Sequence, residues 1–150
     1  MKTIITLSLL SLLLFSCKKE TVVKEKTPEV EVSETAIPFK GAWSRDFEAG
    51  TAGLHTVRYL ISQDEIEYKL TGSIGQADYK IIRDTFLLEN NRFIGHRPDN
   101  IYYLIFVKDV SEDSISIYKQ LISNFNEGMN VAVPSDTSTQ NHGWSTYFKN

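Results

Sequence analysis

Three histidines, His55, His96 and His142, are the residues of this chain best suited to holding a metal. Neutral imidazole is a preferred zinc ligand, and three histidines with one open position form a recurring zinc site. Their spacing is wide, with no His-X-His pair and no His-rich tract, so only a fold that gathers distant points could assemble them. His55 falls on an apolar strand face. His96 reads as an exposed loop residue, and His142 sits beside Gly143 in a turn. The alternative is one core or rim histidine and two surface ones, with no cofactor at all.

Nucleophilic and acid–base chemistry find less support. In Gly72-Ser73-Ile74-Gly75 the serine follows the first glycine directly, which is not the nucleophile-elbow spacing. Asp109, Ser111 and Asp113 start like a calcium loop, but glycine is missing from the sixth place and Gln120 holds the twelfth. Asp64-Glu65 and Glu112-Asp113 fall in turns, where no apolar pocket would raise a carboxyl pKa. No nucleophile, base and orienting group stand at a telling spacing, so binding is expected rather than catalysis.

Binding chemistry has better material. Tyr59, Tyr68, Tyr79, Tyr102, Tyr103 and Tyr118 recur along the apolar runs. In a ligand-binding reading, Tyr59, Tyr68 and Tyr103 line a cup for a small apolar or ring-bearing molecule, and Trp43 closes its base. In the alternative the interior is filled by its own side chains, and outward tyrosines form the binding surface. Arg45, Arg58, Arg83, Arg92 and Arg97 could clamp an anion if several share a face, or could pair with carboxylates in solvent.

The elements that must position these residues are strands. Gly41 to Glu48 carries Trp43 and Phe47. His55, Val57, Tyr59 and Ile61 then alternate with polar or exposed neighbours. Gln63-Asp64 turns the chain into Ile66, Tyr68 and Leu70, again on one side. Gly72 to Gly75 is a break. Tyr79 to Leu88 is strand-rich but mixed enough to suggest a bulge. Asn90-Asn91 leads into Arg92 to Gly95, and His96 to Asn100 is a loop. Ile101 to Val107 is the most apolar run and reads as a central strand. Ser114 to Lys119 follows, with Ile115 and Ile117 inward. Ile122, Phe125 and Met129 stand at helical spacing before Pro134, predicting a short helix or loop across one barrel end. Trp144, Tyr147 and Phe148 suggest a final strand.

Seven or eight short strands joined by hairpin-sized turns predict an all-β fold, a small antiparallel barrel or a sandwich, with at most one short helix. Phe39-Lys40-Gly41-Ala42-Trp43 resembles the Gly-X-Trp entry of the lipocalin or calycin family. That resemblance implies a lipocalin-like barrel of about eight strands, with the tryptophan plugging one end. It also implies small-ligand binding, or zinc binding as in the periplasmic calycins that use inward histidines.

The first residues give an address. Lys2 is a positive start, and Ile4 to Phe15 is uncharged and apolar or hydroxylated before Leu14-Phe15-Ser16-Cys17 closes it. The stretch is short for a membrane span and has the layout of a cleaved signal. LFSC resembles the lipobox of Gram-negative lipoproteins, which implies a signal peptide over residues 1–16 and acylation of Cys17, palmitate included. Cys17 is the chain's one cysteine, so disulfides and thiol catalysis are excluded from the folded part. Residues 17–35 interleave Lys and Glu with scattered valines, the composition of a flexible tether with a reach of roughly 25 Å.

Residues 36–150 then form one domain. The net charge of −3 is evenly spread and no basic block is interleaved with aromatics, which argues against nucleic acid as a partner. The expected protein is a monomer held at the cell envelope by Cys17, at the outer membrane because Lys18-Lys19 lacks the inner-membrane retention aspartate. Its domain would face the periplasm or the medium. The alternative partner is an envelope protein, because small lipoprotein barrels that inhibit lysozymes or confer immunity to toxins are similar in size. In that case the contact would use a strand edge and the loops around His96 and His142.

Overall fold

Alternation gives each strand one face that must leave water, and a sheet hides all such faces at once by curling around them. The computed structural model, which describes residues 35–150, does so with eight antiparallel strands. These are β1 (Gly41–Glu48), β2 (Leu54–Ile61), β3 (Glu65–Thr71), β4 (Ala77–Leu87), β5 (Arg92–His96), β6 (Tyr102–Lys108), β7 (Ser114–Ile122) and β8 (Ser145–Lys149). Each pairs with the next in sequence, and β8 returns to β1, so the sheet is a closed barrel. One short helix, α1 (Phe125–Asn130), lies between β7 and β8. The expected signal peptide, Cys17 and the tether up to residue 34 lie outside the described residues.

One half of the lumen is filled. Ile66, Ile81, Phe93, Ile105 and Ile115 have no exposed surface. Side chains of this kind contribute roughly 1.5–3 kcal/mol each on burial. Ile37 and Phe39, just before β1, close this end, each about 1 % exposed. The Trp43 indole Nε1 donates to the Phe39 carbonyl at 3.0 Å, so the tryptophan has its one polar group satisfied inside the core. Phe39 meets Phe86 edge to face at 5.7 Å.

The mixed pattern after Tyr79 does contain a bulge. Pairing between β4 and β5 shifts between Arg83 and Thr85. The extra residue flips the alternation, so Ile81 and Phe86 both face the lumen although five positions apart. Gly95 lies opposite, where an added Cβ would stand 2.3 Å from the Ile82 carbonyl oxygen. Only glycine permits that approach of the two strands.

The sequence suggests a helix crossing one barrel end, but α1 packs on the outer wall. Strands β5 to β7 are apolar on both faces, and Ile94, Leu104, Phe106, Tyr118 and Ile122 form a second cluster outside the lumen. Phe125, Val131 and Trp144 cover it. A wall without water on either face needs such a cover, which is why the chain spends so many residues between β7 and β8. The helix is capped by Asn124 Oδ1, which accepts from the Glu127 N–H at 3.0 Å, while Glu127 accepts from the Ser123 N–H at 2.6 Å. Hydrogen bonding from Ser123 holds the Glu127 carboxyl below its ordinary pKa.

Candidate functional site

The other half of the lumen is open. A cavity of about 580 Å³ occupies it, entered between the β3–β4 loop and the long β7–β8 connection. Its wall is a belt of five tyrosines, and strand register explains the belt. Tyr59 lies directly opposite Tyr68 in the β2–β3 pair, and Tyr68 opposite Tyr79 in the β3–β4 pair. Their rings follow one another at 5.2 and 4.9 Å. Tyr103 of β6 stacks on Tyr79 at 5.4 Å, and Tyr147 of β8 meets Tyr59 edge to face at 5.1 Å. Burial raises the pKa of the Tyr59, Tyr68, Tyr79 and Tyr147 hydroxyls, to about 12 at Tyr68. These phenols are neutral hydrogen-bonding groups at neutral pH.

Lys119 enters this belt from β7. Its Nζ stands 3.2 Å from the centroid of the Tyr68 ring and donates to the Tyr79 hydroxyl at 2.8 Å. Tyr79, Tyr103 and Tyr59 centroids surround it at 5.4, 5.6 and 5.9 Å. The lysine therefore reaches from β7 to rings carried by β3 and β4. Burial pulls its pKa down to about 7. Arg45 of β1 also lines the cavity; it donates to Ser145 Oγ and its guanidinium lies 5.6 Å from the Phe47 centroid. Arg97 sits 4.9 Å over the Tyr79 ring and pairs with Asp99.

The β7–β8 connection forms part of the mouth. Asn141, His142 and Gly143 line it in succession with φ of 51°, 71° and 65°, a left-handed run held by Asn141 Nδ2 donating to Tyr118 Oη at 3.1 Å.

The residues singled out from the sequence fall in different places. Tyr59, Tyr68 and Tyr103 line the cavity, and Trp43 lies in the filled half of the lumen. His55 is 1 % exposed, packs against Phe47 at 5.4 Å, and has no hydrogen-bond partner for either ring nitrogen among the described residues. His96 is not a loop residue: it ends β5 half-buried, with Nδ1 2.9 Å from an Asp84 carboxylate oxygen. His142 is at the mouth. Among the described residues, no three His, Cys, Asp or Glu side chains form a group that could hold a metal.

The arginines divide in the same way. Arg45 lines the cavity, Arg97 lies over the ring of Tyr79, and Arg58 is exposed. Arg92 is buried on the outer wall, where it donates to the carbonyls of Gly128, Met129 and Val131 at 2.9, 2.5 and 2.7 Å. Closure gives every strand two neighbours, but β8 pairs only with Trp43 and Ser44 of β1 and with Ser114 to Ile117 of β7.

Sequence reasoning missed Lys119 as a lining residue, and named Arg45 only as one of five arginines that could clamp an anion. The signal was their parity: Lys119 follows Ile115 and Ile117 in step, and Arg45 lies between Trp43 and Phe47. No family model, curated protein or solved structure matches the chain.

Proposed function

We propose that this chain is a non-enzymatic binding protein whose barrel holds a small molecule in its open half, lipocalin fashion. The observation that carries this reading is the half-open lumen. A core meant only for stability would fill both ends, whereas here about 580 Å³ stays empty behind a wall of aromatic faces. That volume lies in the range of roughly 300–1,000 Å³ occupied by small-molecule sites. Five tyrosines present rings and hydroxyls together, which suits a flat, ring-bearing ligand. The mouth supports it too, with Ile74 and Leu121 exposed at 52 % and 61 % where an apolar molecule would enter.

Native mass spectrometry of the chain as purified from its own cells tests this. Added mass of a small organic molecule, lost when Tyr59→Ala and Tyr68→Ala are combined, is the expected result. A bare chain that also leaves tyrosine fluorescence unchanged across a panel of aromatic probes would overturn it.

The exposed apolar mouth also favours a second reading, in which an envelope protein docks there. It predicts co-purification of a protein that is lost on Ile74→Asp and Leu121→Asp and unaffected by changes inside the cup.

The LFSC motif supports placing this barrel at the cell envelope, acylated at Cys17, with the lysine-glutamate segment as its tether.

A further inference from the structure

We propose that the ligand bears an acidic group, of the aromatic carboxylate class, and that this anion seats against Lys119 Nζ with Arg45 on the same wall of the cup. This rests on the ligand-binding reading above and narrows it to one chemistry. The first argument is the charge of the lining. Arg45, Lys119 and His142 face the cavity, and no Asp or Glu does so among the described residues. The whole chain carries a net charge of −3, so a cationic cup is not a sample of the surface at large.

Several cations on the outer surface pair with carboxylates. Lys80 pairs with Glu65 at 2.6 Å, Lys69 with Asp78 at 3.3 Å, and Arg97 with Asp99 at 2.6 Å. Among the described residues no carboxylate pairs with Lys119 or Arg45, the lysine and arginine that line the cavity, and Arg45 donates instead to Ser145 Oγ. An ammonium has three donors, and Tyr79 Oη takes one of them. The Tyr68 face offsets part of the charge but accepts no strong hydrogen bond. A half-buried cation without a counter-ion keeps part of its desolvation cost, and a ligand anion would offset it. Four tyrosine centroids within 6 Å of the ammonium favour a thin, flat group beside that anion.

Other ligand charges fit worse. A cation would meet Lys119 and Arg45 directly, and a wholly apolar molecule would remove water from the ammonium and replace it with nothing. Burial keeps Lys119 near its ionisation midpoint at neutral pH, so an arriving anion would also recharge it.

The test compares 2-naphthoate with its uncharged near-isostere 2-naphthamide, by titration calorimetry at pH 7 on the full chain. The acid is expected to bind at least about tenfold more tightly, the size of one charge-assisted hydrogen bond. Lys119→Met should bring the two affinities together, and Lys119→Arg should keep them apart. Equal or tighter amide binding would overturn the acidic-ligand inference while leaving the cup as a binding site. The inference also falls if the acid keeps its advantage in Lys119→Met. Failure of both probes to bind at millimolar concentration would overturn the inference and the ligand-binding reading together. Should Lys119→Met not fold, the acid-to-amide ratio of the native chain decides the matter.

Discussion

At the scale of single residues, Lys119 is the cavity-lining cation whose charge burial disfavours. It is faced by Arg45 of β1, Tyr59 of β2, Tyr68 of β3, Tyr79 of β4, Tyr103 of β6, Tyr147 of β8 and His142 of the β7–β8 connection. Its pKa falls from an ordinary 10.5 to about 7 through burial. Between those values the unfolded chain holds a proton that the folded chain has released, so stability rises with pH across that window. Below it both states are charged, and the cost of burying the ammonium is present in full. The buried tyrosines act in the opposite sense above pH ~10, because the unfolded phenols ionise first. A melting temperature that climbs from pH 7 to about 9.5 and then falls is expected, with the climb lost in Lys119→Met. A flat profile for the native chain between pH 7 and 9.5 would refute the assignment of Lys119 to a desolvated position. Gly72 supplies a second residue-scale prediction. It has φ of +147°, and an added Cβ would stand 1.8 Å from His55 Nδ1. Gly72→Ala must displace a histidine that is 1 % exposed, at a cost of about 1–3 kcal/mol. Urea denaturation reads that cost directly, and a change under half a kilocalorie would show His55 to be loosely held.

At the scale of elements, the tyrosine belt and the helix are consequences of the same sheet. The β2–β3 and β3–β4 hairpins place Tyr59, Tyr68 and Tyr79 in line because each register pairs them directly. A one-residue slip would turn an entire strand's rings outward. On the opposite surface, α1 is six residues long, too short to be stable by itself. Its C-terminal carbonyls depend on Arg92, which reaches them across a wall packed by Phe106 at 5.0 Å from the guanidinium. Arg92→Met removes all three donors while keeping most of the apolar stem. It should cost about 2–3 kcal/mol and release α1 first, since the carbonyls lose charged donors. Hydrogen exchange would show the amides of α1 losing protection while those of β2 to β4 keep theirs. Equal loss across the barrel would mean that the helix is integral to the core and not a cover for it.

At the scale of the whole molecule, the proposal is a binding cup on a tether. On that proposal, a flexible segment with the length of residues 17–35 would reach roughly 25 Å, enough to hold a barrel near a membrane. A multiply acylated cysteine anchors far more firmly than a single chain, since each buried methylene contributes about 0.8 kcal/mol. Cys17→Ala is therefore expected to move the protein from the membrane fraction to the soluble fraction and to abolish palmitate labelling. It should leave the affinity of the cup for aromatic acids unchanged. Membrane retention of Cys17→Ala would refute the lipid anchor, and altered affinity would show that the cup and the anchor are not independent.

What the sequence determined by itself was the material of each strand: which residues alternate, where turns fall and which runs are apolar. The first strand, the β2 and β3 alternation and the bulge after Tyr79 were legible because a pleated strand imposes a period of two locally. The tertiary structure alone decided closure, and closure decided the rest. It brought Lys119 of β7 onto Tyr68 of β3, 51 residues apart in number, and joined β8 to β1 so that Tyr147 could meet Tyr59. It also sent α1 to the outer wall, since only a folded β5–β7 face reveals that Ile94, Leu104 and Phe106 need covering. The sequence could not say whether the lumen was filled, because packing depends on how side chains from distant strands share one volume. Nor could it separate Lys119 from a solvated lysine, since the desolvation that lowers its pKa comes from rings on other strands.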